Sequence, residues 1–290
     1  MKRFDYLAPT SLRDAVTILQ ENPEISPLAG GTDLLIQIKE RQRPVQAVMS
    51  LKRIPEVHEC TNNGFLTIGS AVTVGHIARD PRIQKEFTAL AAGAGLIGSA
   101  QIQNMATVGG NICNASPSAD TAPGLLVFDA LAVIASEPGE RTLPIEEFFL
   151  GPGKTALKPG ELLKSIRLPQ LKEHSGSFYY RHTPRARMDI AVVGVATLLT
   201  LDENGKISDC RIALGAVAPT PLRARKAEAE LSGEMPSEDL FAHVAQIAMN
   251  EAVPIDDLRA SADYRRYLVQ VLTKRALHQA LVGAKEDHGI

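Results

Sequence analysis

The chain has 290 residues, 44 % of them hydrophobic and 22 % charged, with a net charge of −2. That length fills one large or two medium domains, and the near-neutral balance offers no basic face for nucleic acid. Cys60, Cys113 and Cys210 are widely spaced, with no C-x-x-C, so neither an iron–sulfur cluster nor a zinc site can be assembled from this chain's cysteines. No apolar run reaches the ~18 residues of a membrane span. Residues 1–9 (MKRFDYLAP) lack the apolar stretch of a secretory signal, so the expected compartment is the cytoplasm. Residues 3–7 predict a strand. Thr10 or Ser11 then caps a helix through about Gln20, with Leu12, Ala15, Val16 and Leu19 at helical spacing. An apolar run at 25–29 enters a Gly-Gly turn, Thr32 or Asp33 starts a short helix, and 45–51 reads as another strand. Together these make a βαβαβ-like unit. Residues 64–77 alternate and are rich in β-branched side chains, which predicts strands. Pro81 to Leu96 predicts a helix, a second Gly-Gly pair follows at 109–110, and Asp120 to Leu131 predicts a buried helix. Strands are expected at 131–136 and 162–168, on either side of a GPGK turn at 151–154. The polar stretch from Pro169 to Ser177 marks the main boundary. Three antiparallel strands, 177–183, 190–201 and 207–217, should follow, with the DENG turn joining the last two. From Leu222 onward the periodicity is helical, ending in an amphipathic helix at 263–282 and a tail, KEDHGI, expected to be mobile.

The two glycine segments carry the chemistry. PLAGGTDLL (27–35) and ATVGGNICNASPSAD (106–120) each run from apolar residues into Gly-Gly and then small polar side chains and an aspartate. Consecutive glycines let successive N–H groups point at one spot, and two such nests can clamp the two phosphates of one dinucleotide. Neither matches G-x-G-x-x-G or the P-loop. The plainer reading of each alone is an ordinary turn. Asp33 and Asp120 would repel phosphate, so near a dinucleotide they would accept from sugar or ribityl hydroxyls, or else cap a helix. The histidines show neither H-x-x-x-H nor H-E-x-x-H, so no metal ligand is expected. Cys113 reads as a small buried residue rather than a nucleophile. The basic stretch from Tyr180 to Arg187 reads as a solvated loop or as a cofactor edge favouring an anionic ring or acceptor.

AGGTDLL (29–35), QIQNMATVGGNICNASPSAD (101–120), GPGKTALKPGELLKSIRLP (151–169), RARMDIAVVG (185–194) and LGAVAPTPLRARKAE (214–228) together resemble the FAD-binding medium subunit of the molybdenum hydroxylases, the xanthine dehydrogenase and carbon monoxide dehydrogenase family. GGNICN, SAD, GPGK and KEHSGS look most like the FAD chains of bacterial xanthine dehydrogenases. The resemblance implies an α+β chain. A FAD-binding domain of the vanillyl-alcohol-oxidase (PCMH) type would span 1–172, with subdomains of about 1–55 and 56–172. An α+β C-terminal domain with a three-stranded antiparallel sheet and helices would fill 173–290.

It also implies that Leu28, Ala29, Gly30, Gly31, Thr32, Asp33 and Leu34, with Thr107, Val108, Gly109, Gly110 and Asn111, wrap the FAD phosphates. Asp120 would hold a cofactor hydroxyl and Leu163 would pack near the ring system. Arg181, where relatives often carry lysine, would lie near the flavin, and Asp189 and Ile190 beside the isoalloxazine. An aliphatic residue at 190, where carbon monoxide dehydrogenases carry an aromatic, implies an open flavin face that favours NAD or another diffusible acceptor. No residue of this chain is assigned a catalytic role. A large partner subunit would carry the molybdenum cofactor and a small one two [2Fe–2S] clusters, in a dimer of heterotrimers. Electrons from hydroxylation of a purine-like heterocycle or aldehyde would reach FAD and then the acceptor. The alternatives are a self-contained FAD-dependent reductase of the same fold and a non-catalytic FAD-holding assembly module.

Overall fold

A computed structural model describes residues 3–41, 43–186 and 188–286. The chain opens with β1 (Asp5–Leu7), α1 (Leu12–Glu21), β2 (Ser26–Leu28), α2 (Leu34–Lys39) and β3 (Ala47–Ser50). Ser11 caps α1 by accepting a bond from the Asp14 amide, and the helix buries Ala15, Val16 and Leu19, as the spacing predicts. The three strands form a parallel sheet in the order β1-β3-β2, so the first fifty residues are the expected βαβαβ unit.

The chain continues through β4 (Cys60–Asn62), β5 (Phe65–Gly69), α3 (Val74–Arg79), α4 (Pro81–Glu86), α5 (Thr88–Gly95), α6 (Ala100–Gln103), α7 (Val108–Cys113) and α8 (Thr121–Val127). It then forms β6 (Leu131–Ser136), β7 (Gly139–Pro144), α9 (Ile145–Phe148), the β8 (Phe149–Gly151) and β9 (Lys154–Thr155) hairpin, and β10 (Leu162–Pro169). Five strands make an antiparallel sheet ordered β4-β5-β10-β6-β7, against which α3 to α8 close a core containing Phe87, Leu90, Leu125 and Phe128.

Three local expectations need correction here. Residues 70–77 do not continue β5: Thr73 accepts a bond from the His76 amide and starts α3, so a capping hydroxyl overrides the β-branched run. The helix expected over 81–96 is two, parted at Phe87, whose φ of −119° and ψ of 50° leave the helical region while its ring packs on Phe128. Asp120 does not cap α8, and its side chain turns to partners far away in sequence.

The remainder is β11 (Ser175–His182), β12 (Val193–Leu201), β13 (Ile207–Gly215), β14 (Leu222–Arg223), α10 (Arg225–Ala229), α11 (Glu238–Glu251) and α12 (Ala262–Glu286). The sheet has four antiparallel strands, not the expected three. Leu222 pairs with Leu214 and Arg223 with Ala213, a two-residue strand too short to show any periodicity. Every residue of β12 is buried because both of its faces are covered. Val193, Val195, Leu199 and Leu201 join α11 and α12 in one core, while Ala196 and Leu198, with Tyr179 of β11 and Ala213 of β13, join the core around α5 and α8. The first part of the chain thus packs directly on the second. Among the described residues no helix is long and apolar enough to cross a membrane. Residues 287–290 of the tail expected to be mobile lie outside the described residues.

Candidate cofactor-binding site

The two glycine segments meet. Gly31 takes φ +74°, a left-handed turn natural for glycine. Gly30 lies so close to the second segment that a Cβ would overlap the Met105 carbonyl oxygen and approach Ala106 Cα to 3.0 Å. Gln37 of α2 donates from Nε2 to Asn114 Oδ1 at 3.3 Å, a second tie between the segments. The turn after β2 is a row of donors. Leu35 N–H bonds Gly31 O and Gln37 N–H bonds Asp33 O, which closes the first turn of α2. Among the described residues, none of the amides of Gly30, Gly31, Thr32, Asp33 and Leu34 donates to another protein group. Ala29 and Leu28 lead into this row and are partly exposed, as is Thr32. Asp33 makes no cap bond, and partial desolvation raises its carboxyl above the ordinary range.

The second segment differs from expectation. It is the first turn of α7 and has no positive φ at Gly109 or Gly110. Thr107 is the N-cap, its Oγ1 accepting from Gly110 N–H at 3.0 Å. Val108 N–H bonds Val72 O and Gly109 N–H bonds Ser70 O, both at 3.0 Å, so these amides are already committed. A Cβ on Gly109 would come within 2.5 Å of Ser70 Cβ. Here the missing side chain serves close packing of helix on chain rather than an open nest. Gly110 and Asn111 are the members of this turn that stay partly exposed.

A continuous polar path leads onward. Asn111 Oδ1 accepts from the Thr121 hydroxyl at 2.6 Å. Next to Thr121, Asp120 is buried, 7 % exposed. Its Oδ1 accepts from the Tyr179 hydroxyl at 2.8 Å and its Oδ2 from Arg181 at 2.9 Å, and Arg181 also donates to Leu96 O at 2.9 Å. Burial pushes the Asp120 carboxyl up, opposed by the Arg181 charge and the Tyr179 hydroxyl, and burial beside that carboxylate pushes the Tyr179 phenol well up. Asp189 and Ile190 lie in the loop from β11 to β12, at the Arg181 end of the sheet, where Ala216 N–H also bonds Pro117 O. Asp189 pairs with Arg185 at 3.2 Å and accepts from Ile190 N–H at 2.9 Å, and the Arg185 contact holds its carboxyl low. Ile190 is 49 % exposed.

Leu163 does not offer its side chain, which is 2 % exposed within the core. What it offers is backbone at the bulge between Leu163 and Ser165, beside Lys164 O, which accepts the Ser70 amide. Burial pushes the Cys113 thiol up to about 12, away from the thiolate a nucleophile needs. Tyr179, Gln37, Asn114, Thr121 and Ser70 were not expected from sequence. Only Tyr179 had a signal, since two residues before Arg181 on a strand it shares the same face.

Residues 2–171 match the FAD binding domain of molybdopterin dehydrogenases, and residues 178–280 match the carbon monoxide dehydrogenase flavoprotein C-terminal domain. The chain belongs to the FAD-binding medium subunits of the molybdopterin dehydrogenases. The xanthine dehydrogenase FAD-binding subunit of Escherichia coli O157:H7 is 36 % identical over 282 residues, 96 % of each chain. This medium subunit also superimposes on carbon monoxide dehydrogenase from Hydrogenophaga pseudoflava with a TM-score of 0.92 at 32 % identity, covering 97 % of this chain and 98 % of that one. Quinoline 2-oxidoreductase from Pseudomonas putida 86 gives 0.91 at 28 % identity, covering 98 % and 99 %. It is the oxidoreductase FAD subunit of a xanthine dehydrogenase-like molybdenum hydroxylase.

Proposed function

We propose that this subunit holds FAD between the 28–34 and 107–111 segments and serves as the electron-transfer flavoprotein of a heteromeric molybdenum hydroxylase. The row of five uncommitted amides from Gly30 to Leu34, locked against the second segment, carries the reading. A diphosphate needs many donors, and this turn presents five in succession. The second segment contributes its partly exposed residues Gly110 and Asn111, with Thr107, Val108 and Gly109 holding their position. Each Asp120 oxygen accepts one protein hydrogen bond and keeps a lone pair for a cofactor hydroxyl. Arg181 supplies fixed positive charge, Leu163 backbone, and the Asp189–Ile190 pair an apolar wall with a pinned main chain.

Bound FAD supplies two-electron redox chemistry between one-electron centres and a diffusible acceptor. The molybdenum cofactor and two [2Fe–2S] clusters belong to a large and a small partner subunit, in a dimer of heterotrimers whose substrate is a purine-like heterocycle or an aldehyde. The exposed side of Ile190 leaves room for a diffusible acceptor such as NAD. We assign 1–172 to a PCMH-type FAD domain, with subdomains of about 1–55 and 56–172, and 173–290 to the C-terminal domain.

The test is Ile190→Tyr in the complete complex. Rapid mixing should show reduction of FAD by substrate unchanged and reoxidation by NAD slowed, because a ring at 190 obstructs the acceptor and not electron entry. Equal slowing of both half-reactions would defeat the assignment of Ile190 to the acceptor face.

A further inference from the structure

Away from the cofactor segments, Cys60, His76 and Asp80 converge from three places: edge strand β4, helix α3, and the junction of α3 with α4. Their ligand atoms (the thiol sulfur, an imidazole nitrogen and a carboxylate oxygen) all lie within 4.8 Å of one another. We propose that these three side chains bind one divalent cation of the zinc class, with water in the fourth position.

The donor set suits that class. Zinc combines thiolate, imidazole and carboxylate, whereas magnesium and calcium take oxygen alone. Metal–ligand distances of about 2.0–2.3 Å in a tetrahedron place ligand atoms about 3.3–3.7 Å apart. His76 Nε2 and Asp80 Oδ2, four residues apart, already stand at 3.7 Å. Binding closes that pair by a few tenths of an ångström, and the Cys60 sulfur starts within 4.8 Å of both.

Asp80 is pre-set for the role. Its Oδ1 accepts from the Arg82 and Ile83 amides at 2.9 and 3.2 Å, capping α4 and fixing the carboxylate, so that Oδ2 is left toward His76. These amides hold the Asp80 carboxyl low against the effect of its burial. The Arg82 guanidinium, 3.5 Å from Asp80 Oδ2, repels a cation, but its side chain is 48 % exposed and free to swing into water. Zinc, one thiolate and one carboxylate sum to zero charge. The half-exposed His76 leaves the fourth position open to solvent. The cation would pin β4, the outermost strand of the five-stranded sheet, to the helical layer. The site holds a single histidine, so histidine spacing gave no metal signal.

The experiment uses the full chain, stripped with a chelator and titrated with Co2+ and then Zn2+. Binding of one Co2+ per chain should bring a thiolate-to-cobalt charge-transfer band in the near ultraviolet and visible bands of tetrahedral intensity, both displaced by Zn2+. Cys60→Ser should abolish the charge-transfer band. His76→Ala, at a half-exposed position that the fold tolerates, should weaken Zn2+ binding about tenfold or more, at least the loss that follows removal of an outer-shell partner. Zn2+ should raise the melting temperature of the wild-type chain and not of either variant. Absence of the charge-transfer band, or equal Zn2+ affinity in wild type and both variants, would mean an adventitious surface ion only and overturn the proposal.

Discussion

Arg181→Met probes the seam between the cofactor segments and the second sheet. Arg181 and Asp120 side chains are 2 % and 9 % exposed, so their ion pair is shielded from water, and methionine keeps the bulk while removing the charge. Removing one partner of a buried pair costs about 3–5 kcal/mol, because the other charge is left uncompensated. The cheapest escape for Asp120 is to bind a proton. At pH 7 that costs at most about 4 kcal/mol, because a carboxyl that ordinarily ionises near 3.9 is already raised by burial in the wild type. Leu96 O also loses its donor. The expected drop in melting temperature is roughly 5–8 °C for a chain of 290 residues. The sign with pH follows from the same proton. Burial already raises folded Asp120 in the wild type, and losing Arg181 raises it further, so between those two values the variant's folded state binds more protons than the wild type's. The deficit grows with pH across that window and shrinks as pH falls toward the wild-type folded value. Adding Asp120→Asn to the variant removes the orphaned charge and should restore most of the stability. Thermal unfolding by circular dichroism at pH 7.5 and 5 measures both effects. A variant that melts within about 1 °C of wild type, or a deficit that grows on acidification, would refute the reasoning.

Gly30→Ala places a Cβ against the Met105 carbonyl; it should cost about 1–3 kcal/mol and lower the flavin absorbance per chain, and full occupancy with wild-type melting would count against the locked-segment reading. Gly110→Ala, at an ordinary helical φ with Thr107 Oγ1 3.0 Å from the added carbon, should keep the fold, so the two variants contrast a position where a Cβ overlaps backbone with one where it has room. Glu161 accepts both guanidinium bonds from Arg141 at 2.8 Å, and that contact holds its carboxyl below the ordinary 4.5. A lowered folded value adds stability above 4.5 that is lost as pH falls through it, so Glu161→Gln should cost about 1–3 kcal/mol near neutrality and progressively less as pH falls below 4.5 in denaturant melts.

Much of the chain was legible where a single physical signal acts alone. The strand at 131–136 coincides with β6, the strand at 162–168 falls one residue short of β10, and Ser11 caps α1 as its hydroxyl and the following apolar spacing predict. The last helix lies within α12, since a long amphipathic pattern tolerates errors only at its ends. The nest expected of the second glycine segment is the first turn of a helix instead, because sequence shows that a side chain is missing, not which use the gap serves. A turn of positive φ and a close helix contact write the same Gly-Gly. Thr73 shows the same conflict, its β-branched form arguing for strand and its hydroxyl for a cap. The partners of Asp120 were out of reach for another reason. Tyr179 and Arg181 lie 59 and 61 residues away, and no local pattern encodes which face of a distant strand will close over α8.

The shared core has a consequence for the order in which the chain can fold. Tyr179, Ala196, Leu198 and Ala213 pack with Phe87, Ala89 and Leu125, so they complete a hydrophobic interior whose other residues are synthesised earlier. When Leu171 leaves the ribosome, that interior still lacks one wall. At roughly 5–20 residues per second, the roughly 40 residues up to Ala213 take roughly 2–8 s to follow. During that interval the nascent chain shows apolar surface that only its own later strands can cover, which makes this stretch of translation the time at which a chaperone has most to bind.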